Sequence, residues 1–135
     1  SLTDAVLTKD QATNDAVGLG SAGDRIPVIP RLAAGGWVEY RHDLSADLQL
    51  LARADASYVG ISHSAFDTDV AADVKLGDLL LLNARASLRA QAWTLGAFVD
   101  NVLDADRPIF ATSARQPQVS APRPRRFGLS ATRTF

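Results

Sequence analysis

Apolar and polar residues alternate with a period of two over most of this chain. In the segment 31–40, Leu32, Ala34, Gly36, Val38 and Tyr40 fall on one side, with Arg31, Ala33, Gly35, Trp37 and Glu39 on the other. Leu48, Leu50, Ala52, Ala54, Ala56 and Tyr58 oppose Gln49, Leu51, Arg53, Asp55, Ser57 and Val59. Leu80, Leu82, Ala84, Ala86 and Leu88 oppose Leu79, Leu81, Asn83, Arg85, Ser87 and Arg89. Trp93, Leu95, Ala97, Val99 and Leu103 oppose Thr94, Gly96, Phe98, Asp100 and Val102, and Phe127, Leu129, Ala131, Arg133 and Phe135 oppose Arg126, Gly128, Ser130, Thr132 and Thr134. This is the signature of strands with one apolar and one polar face. Ala, Leu and Arg are good helix formers, so 44–57 and 79–92 invite a helical reading. A period of 3.6 would scramble their charges, however, and the two-residue sorting persists. A weaker strand is predicted over Leu2–Thr8. Arg25–Pro30, with Pro27 and Pro30 three apart, is an extended lead-in, because proline removes donors and fixes φ.

The predicted connections alternate in length. Lys9–Asp24, Ile61–Asp78 and Asp104–Pro124 are long; Arg41–Asp47 and Ala90–Ala92 are short. An up-and-down antiparallel sheet with two unlike rims gives this alternation, and transmembrane barrels have such rims. The aromatic residues point the same way. Tyr40, Trp93 and Phe135 are placed at the short-turn ends of their strands and Tyr58 and Phe127 at the long-loop ends, all on the apolar side. A bilayer sorts aromatic rings to its two interfaces, whereas a soluble barrel holds large rings in mid-strand. About ten residues at ~3.3 Å each, tilted by ~45°, span roughly 23 Å. The opposite side carries Arg31, Glu39, Arg53, Asp55, Arg85 and Arg89, a charge load that a dry core rejects and a wet or plugged lumen accepts. Arg133 is the exception on the apolar side, tolerable near an interface where its head can snorkel. The expected fold is therefore all-β: about six antiparallel, up-and-down strands of a larger transmembrane β-barrel.

Composition adds exclusions. A length of 135 residues suits one domain, and a net charge of −1 with 21% charged residues gives no electrostatic case for nucleic acid. Hydrophobic content of 47% argues against disorder. No run approaches a helical membrane span, cysteine is absent, and Ser1-Leu2-Thr3-Asp4 carries no export-signal pattern.

Particular motifs sharpen the picture. Arg25-Ile26-Pro27-Val28-Ile29-Pro30-Arg31 leads into a strand ending at Tyr40, Tyr58-Val59-Gly60 closes the next, and Leu82-Asn83-Ala84-Arg85 follows a Gly-Asp pair. Trp93-Thr94-Leu95-Gly96-Ala97-Phe98-Val99-Asp100-Asn101-Val102-Leu103-Asp104 precedes the long loop, and Pro124-Arg125-Arg126-Phe127-Gly128-Leu129 opens a strand running to Phe135. In this order and spacing, residues 25–135 resemble the C-terminal part of the barrel of a TonB-dependent outer-membrane receptor. The resemblance implies a 22-stranded barrel, an N-terminal plug domain outside this chain, and active uptake of scarce nutrients, most often ferric siderophores. It implies a Gram-negative outer membrane with its lipid and lipopolysaccharide, a TonB-type energy-coupling protein as partner, and no enzymatic activity. It also makes Phe135 resemble the terminal aromatic read by the barrel-assembly machinery. Because six strands are too few to close such a barrel, this chain is expected to be part of a longer polypeptide. A porin or other outer-membrane barrel is the alternative, followed by a soluble lipid-binding barrel.

Candidate chemistry is sparse. His42 is expected in a short turn and His63 in a long loop, both solvated. Asp67, Asp69 and Asp73 loosely follow a calcium loop, but Ala71, Ala72 and Asp78 stand where that loop needs a ligand, a glycine and a glutamate. Gly18-Leu19-Gly20-Ser21 lacks the flanking elements of a phosphate loop. Neither a cofactor nor a metal is expected. Arg107, Arg115 and Arg123, in the last long loop, are candidate contacts for an anionic chelate or for lipopolysaccharide phosphates, against the plainer reading of solvated loop charge. Asn101 and Asp104 are expected to cap a turn through side-chain-to-backbone hydrogen bonds.

Overall fold

Five of the alternating segments become long strands and lie side by side. The computed structural model describes residues 1–11, 20–66, 73–112 and 118–134. Among them the elements are β1 (Ala33–Ser45), β2 (Leu48–Val59), β3 (Ser62–His63), β4 (Lys75–Leu76), β5 (Leu79–Ala90), β6 (Trp93–Asp100), β7 (Phe110–Ala111), β8 (Val119–Ser120) and β9 (Arg126–Arg133). The long strands form one antiparallel sheet in the order β1-β2-β5-β6-β9. β3 with β4, and β7 with β8, are two-residue ladders inside two of the long connections.

Two expectations need correction. Residues 2–8 do not make a sixth strand: they form only isolated bridges, Leu2 with Leu32 and Val6 with Arg25. The lead-in opposite them contains Pro27 and Pro30, which cannot donate to a ladder. The first hairpin is also longer than its polar residues suggest. β1 continues through Arg41–Ser45 and turns at Ala46-Asp47 alone. Tyr40 therefore lies five residues inside its strand, not at its end. His42 is a strand residue stacked on Tyr40, with ring centroids 6.0 Å apart, and is not in a turn. The run misled by its polarity although it too alternates, with His42 and Leu44 continuing the Tyr40 side.

The chain divides into two compact units. Unit 1 comprises Ser1–Ala34, Tyr58–Leu79 and Asp106–Pro122, the N-terminal segment and the long connections. Unit 2 comprises Gly35–Ser57, Leu80–Ala105 and Arg123–Phe135, the body of the sheet. Among the described residues, the buried apolar side chains Ala65, Leu76, Leu79 and Ala111 all belong to unit 1. There Gly77, at φ +74°, donates its amide to Pro108 O at 2.8 Å, and a Cβ on it would fall on Gly60 O. Only glycine fits that crossing. Unit 2 has no buried apolar side chain among its described residues, so neither face of its sheet is covered from within.

Candidate functional site

Strand register decides which side chains share a face, and here it aligns the apolar sets. β5 and β6 pair Ala84 with Val99, Ala86 with Ala97, Leu88 with Leu95 and Ala90 with Trp93. β6 and β9 continue the rows: Val99 with Phe127, Ala97 with Leu129, Leu95 with Ala131 and Trp93 with Arg133. Because partners in register point to the same side, one apolar surface crosses three strands. Val38, Tyr40, Ala52 and Ala54 line a hollow of about 580 Å³ with Ala84, Ala86, Ala97 and Val99, which extends that surface onto β1 and β2. Its side chains are bare: Leu129 is 87% exposed, Phe127 85% and Trp93 49%. Apolar area exposed on this scale marks a surface that meets lipid or another protein.

The aromatic residues on this surface occupy distinct rows. Trp93 lies in the first row of β6, where the Arg133 guanidinium sits 5.2 Å over its ring. That cation–π contact places the Arg133 charge on the apolar side against an aromatic partner. Phe127 lies three pairs along, opposite Val99. Tyr58, next to last in β2, has its hydroxyl 3.4 Å from the Asp78 carboxylate. Phe135 and Arg115 lie outside the described residues.

The other face is polar and internally paired. The Arg126 guanidinium donates to the Asp100 carboxylate at 2.8 Å, a cross-strand pair in register. Glu39 takes Arg41 at one oxygen and Arg53 at 3.8 Å at the other, while Arg53 lies 4.6 Å over the Trp37 ring. Asn83 donates to Asp55 at 2.7 Å. Phe98 packs over Gly128, its partner in register; a Cβ there would meet the ring. A hollow of about 250 Å³ opens on this side, lined by Glu39, Arg53, Arg85, Ser87, Phe98 and Ser130. The sequence pattern put these residues on one side. It did not foretell the Trp37–Arg53–Glu39–Arg41 cluster, although spacing by two within β1 was a usable signal.

The turn after β6 is built by Asn101, as its sequence context predicts. Asn101 is 4% exposed, has φ +52°, and donates from Nδ2 to Ala105 O and Arg123 O at 2.9 Å each. Its Oδ1 accepts the Ala105 amide at 2.9 Å, and its own amide donates to Asn83 Oδ1 at 2.9 Å. Asp104 accepts the Arg125 amide at 2.8 Å. Asn tolerates the left-handed backbone and supplies both donor and acceptor, which explains its use here. Arg107 is exposed in unit 1 and Arg123 exposed in unit 2.

His63 corrects its sequence reading: it is not merely a solvated loop residue. In unit 1 its Nδ1 lies 2.6 Å from Asp73 Oδ2. Asp73 Oδ1 accepts the amides of Ser64 at 3.0 Å and Ala65 at 3.2 Å, and the Ser64 hydroxyl at 3.3 Å. Burial pushes the Asp73 carboxyl up, but His63 and these backbone donors outweigh it and hold the group below its usual range. Asp73 is thus a hub for the β3–β4 loop; Asp67 and Asp69, the other residues of the calcium-loop reading, lie outside the described residues. No group of three or more metal-ligating side chains occurs among the described residues. Sequence alone could not pair His63 with Asp73, because the two lie ten positions apart with no periodic mark between them.

No protein-family model, no curated protein and no solved structure matches this chain.

Proposed function

We propose that this chain is a segment of the barrel wall of a TonB-dependent receptor in the outer membrane of a Gram-negative bacterium. The observation that carries the reading is the two-faced sheet. An exposed apolar surface runs in register across β5, β6 and β9, while ion pairs gather on the opposite side. Lipid satisfies the first and a wet or plugged lumen the second. The Trp93–Arg133 contact and Phe127, toward the two ends of the β6–β9 ladder, fit an interfacial girdle. The motif order in residues 25–135 favours an actively coupled receptor for ferric siderophores over a simple porin. On this reading Arg107, Arg115 and Arg123 contact an anionic chelate, Phe135 serves barrel assembly, and a TonB-type protein drives transport through parts of the polypeptide outside this chain.

The test is uptake of a labelled ferric siderophore by cells with and without the full-length gene, with a protonophore arm. Gene-dependent uptake that stops with the protonophore supports the proposal. Gene-dependent uptake indifferent to it replaces the receptor with a porin. Recovery of the full-length product from the aqueous fraction without detergent favours the soluble lipid-binding barrel.

A further inference from the structure

We infer that unit 1 carries a small-molecule site built on His63, suited to a compact apolar molecule with a hydroxyl group, a phenol above all. The Asp73 side chain is 7% exposed and its two oxygens are committed: Oδ2 to His63, Oδ1 to Ser64 and Ala65. The Ser64 hydroxyl that also reaches Oδ1 accepts the Val74 amide at 2.8 Å, so the carboxylate is held from several sides. An ionised acceptor at Nδ1 keeps the ring proton there. In the neutral ring, Nε2 is then a bare acceptor with a fixed direction. Among the described residues nothing bonds to it.

The His63 ring is 39% exposed and lines a cavity of about 310 Å³ with Ile26, Ile29, Ile61 and Phe66. That volume lies at the small end of ligand sites and suits a single ring. Asp24 and Arg25 also border it, and both are already engaged: Asp24 Oδ2 accepts the Ser21 amide at 2.7 Å, and Arg25 pairs with Asp4 at 3.3 Å. His63, whose Nδ1 is held by Asp73 and whose Nε2 has no hydrogen-bond partner among the described residues, can accept from a neutral hydroxyl there. The wall is tied to the same strand. Val28, a β-branched residue at the unfavourable φ of +66°, donates its amide to His63 O at 2.7 Å and fixes the Ile26–Ile29 segment against β3. These groups all belong to unit 1, so the inference stands apart from the membrane reading.

The experiment uses purified full-length protein and two probes of equal shape, p-cresol and 4-methylanisole, whose hydroxyl is capped. Calorimetry or ligand-observed NMR should show p-cresol binding about tenfold tighter, the worth of one good hydrogen bond in a shielded site. His63→Phe keeps a ring and removes the acceptor, so the preference disappears. Asp73→Asn retains the loop's acceptor for Ser64 and Ala65 but offers an amide donor to Nδ1. The ring proton then moves to Nε2, its nitrogen NMR signal changes from the acceptor type to the N–H type, and the preference is again lost. Near-UV circular dichroism confirms that each variant is folded. Equal affinity for the two probes, binding of neither at millimolar concentration, or a preference that survives His63→Phe overturns the inference.

Discussion

Replacing Leu129 with Arg tests which solvent the apolar face meets. Leu129 is 87% exposed, so the substitution removes almost no packing, and in water a change at such a site falls within about 0.5 kcal/mol of neutral. In lipid the cost depends on depth. Leu129 is two residues from Phe127 and four from Arg133, about 7 and 13 Å along the strand at ~3.3 Å per residue. A strand tilt of ~40° reduces those separations to about 5 and 10 Å of depth, which puts Leu129 between the two aromatic rows and nearer the Phe127 row. Leu129→Arg should therefore destabilise the full-length protein in lipid vesicles by about 1–3 kcal/mol, between the interfacial and midplane costs. Ser130→Arg, one step along on the polar face, should lie within about 0.5 kcal/mol of wild type. Chaotrope titration of vesicle-inserted protein, followed by tryptophan fluorescence, measures both. If Leu129→Arg is neutral and Ser130→Arg costly, the apolar face points inward and the lipid-facing assignment is wrong.

Two further outcomes follow from individual groups. Asn101→Ala removes three side-chain hydrogen bonds at about 1 kcal/mol each and leaves alanine at φ +52°, for a total near 3–4 kcal/mol in the same titration; Asn101→Gly recovers about 1 kcal/mol of this by relieving the backbone. Asp73 has a folded pKa below its ordinary value of 3.8, so its stabilisation is present above that value and is lost as the pH falls through the lowered pKa. Hydrogen exchange at the Ser64 and Ala65 amides should accelerate over that acid window, and Asp73→Asn should flatten the response.

Much of the sheet was legible because each long strand has an uncovered face on either side, so side-chain polarity follows the two-residue repeat without interruption. β2, β5 and β9 appear close to where the alternation puts them, and the β5–β6–β9 register joins the expected apolar sets. The misses have local causes. Arg41–Ser45 continues β1 because a two-residue turn needs no longer polar loop. Residues 2–8 face a lead-in whose prolines deny them a ladder. Asn101 was legible as a turn residue because its two bonds with Ala105, four residues on, are local; its bonds to Asn83 and Arg123 depend on the fold.

By itself the sequence determined the all-β character, the strands of the sheet and the two unlike faces, since these depend on period-two alternation between neighbours in the chain. Only the tertiary structure decided what meets across long separations. It paired Arg53 with Glu39 and Trp37, set Arg133 over Trp93, and closed a loop so that Asp73 holds His63. Such contacts depend on register and loop closure, which bring together residues whose separation in sequence carries no periodic mark.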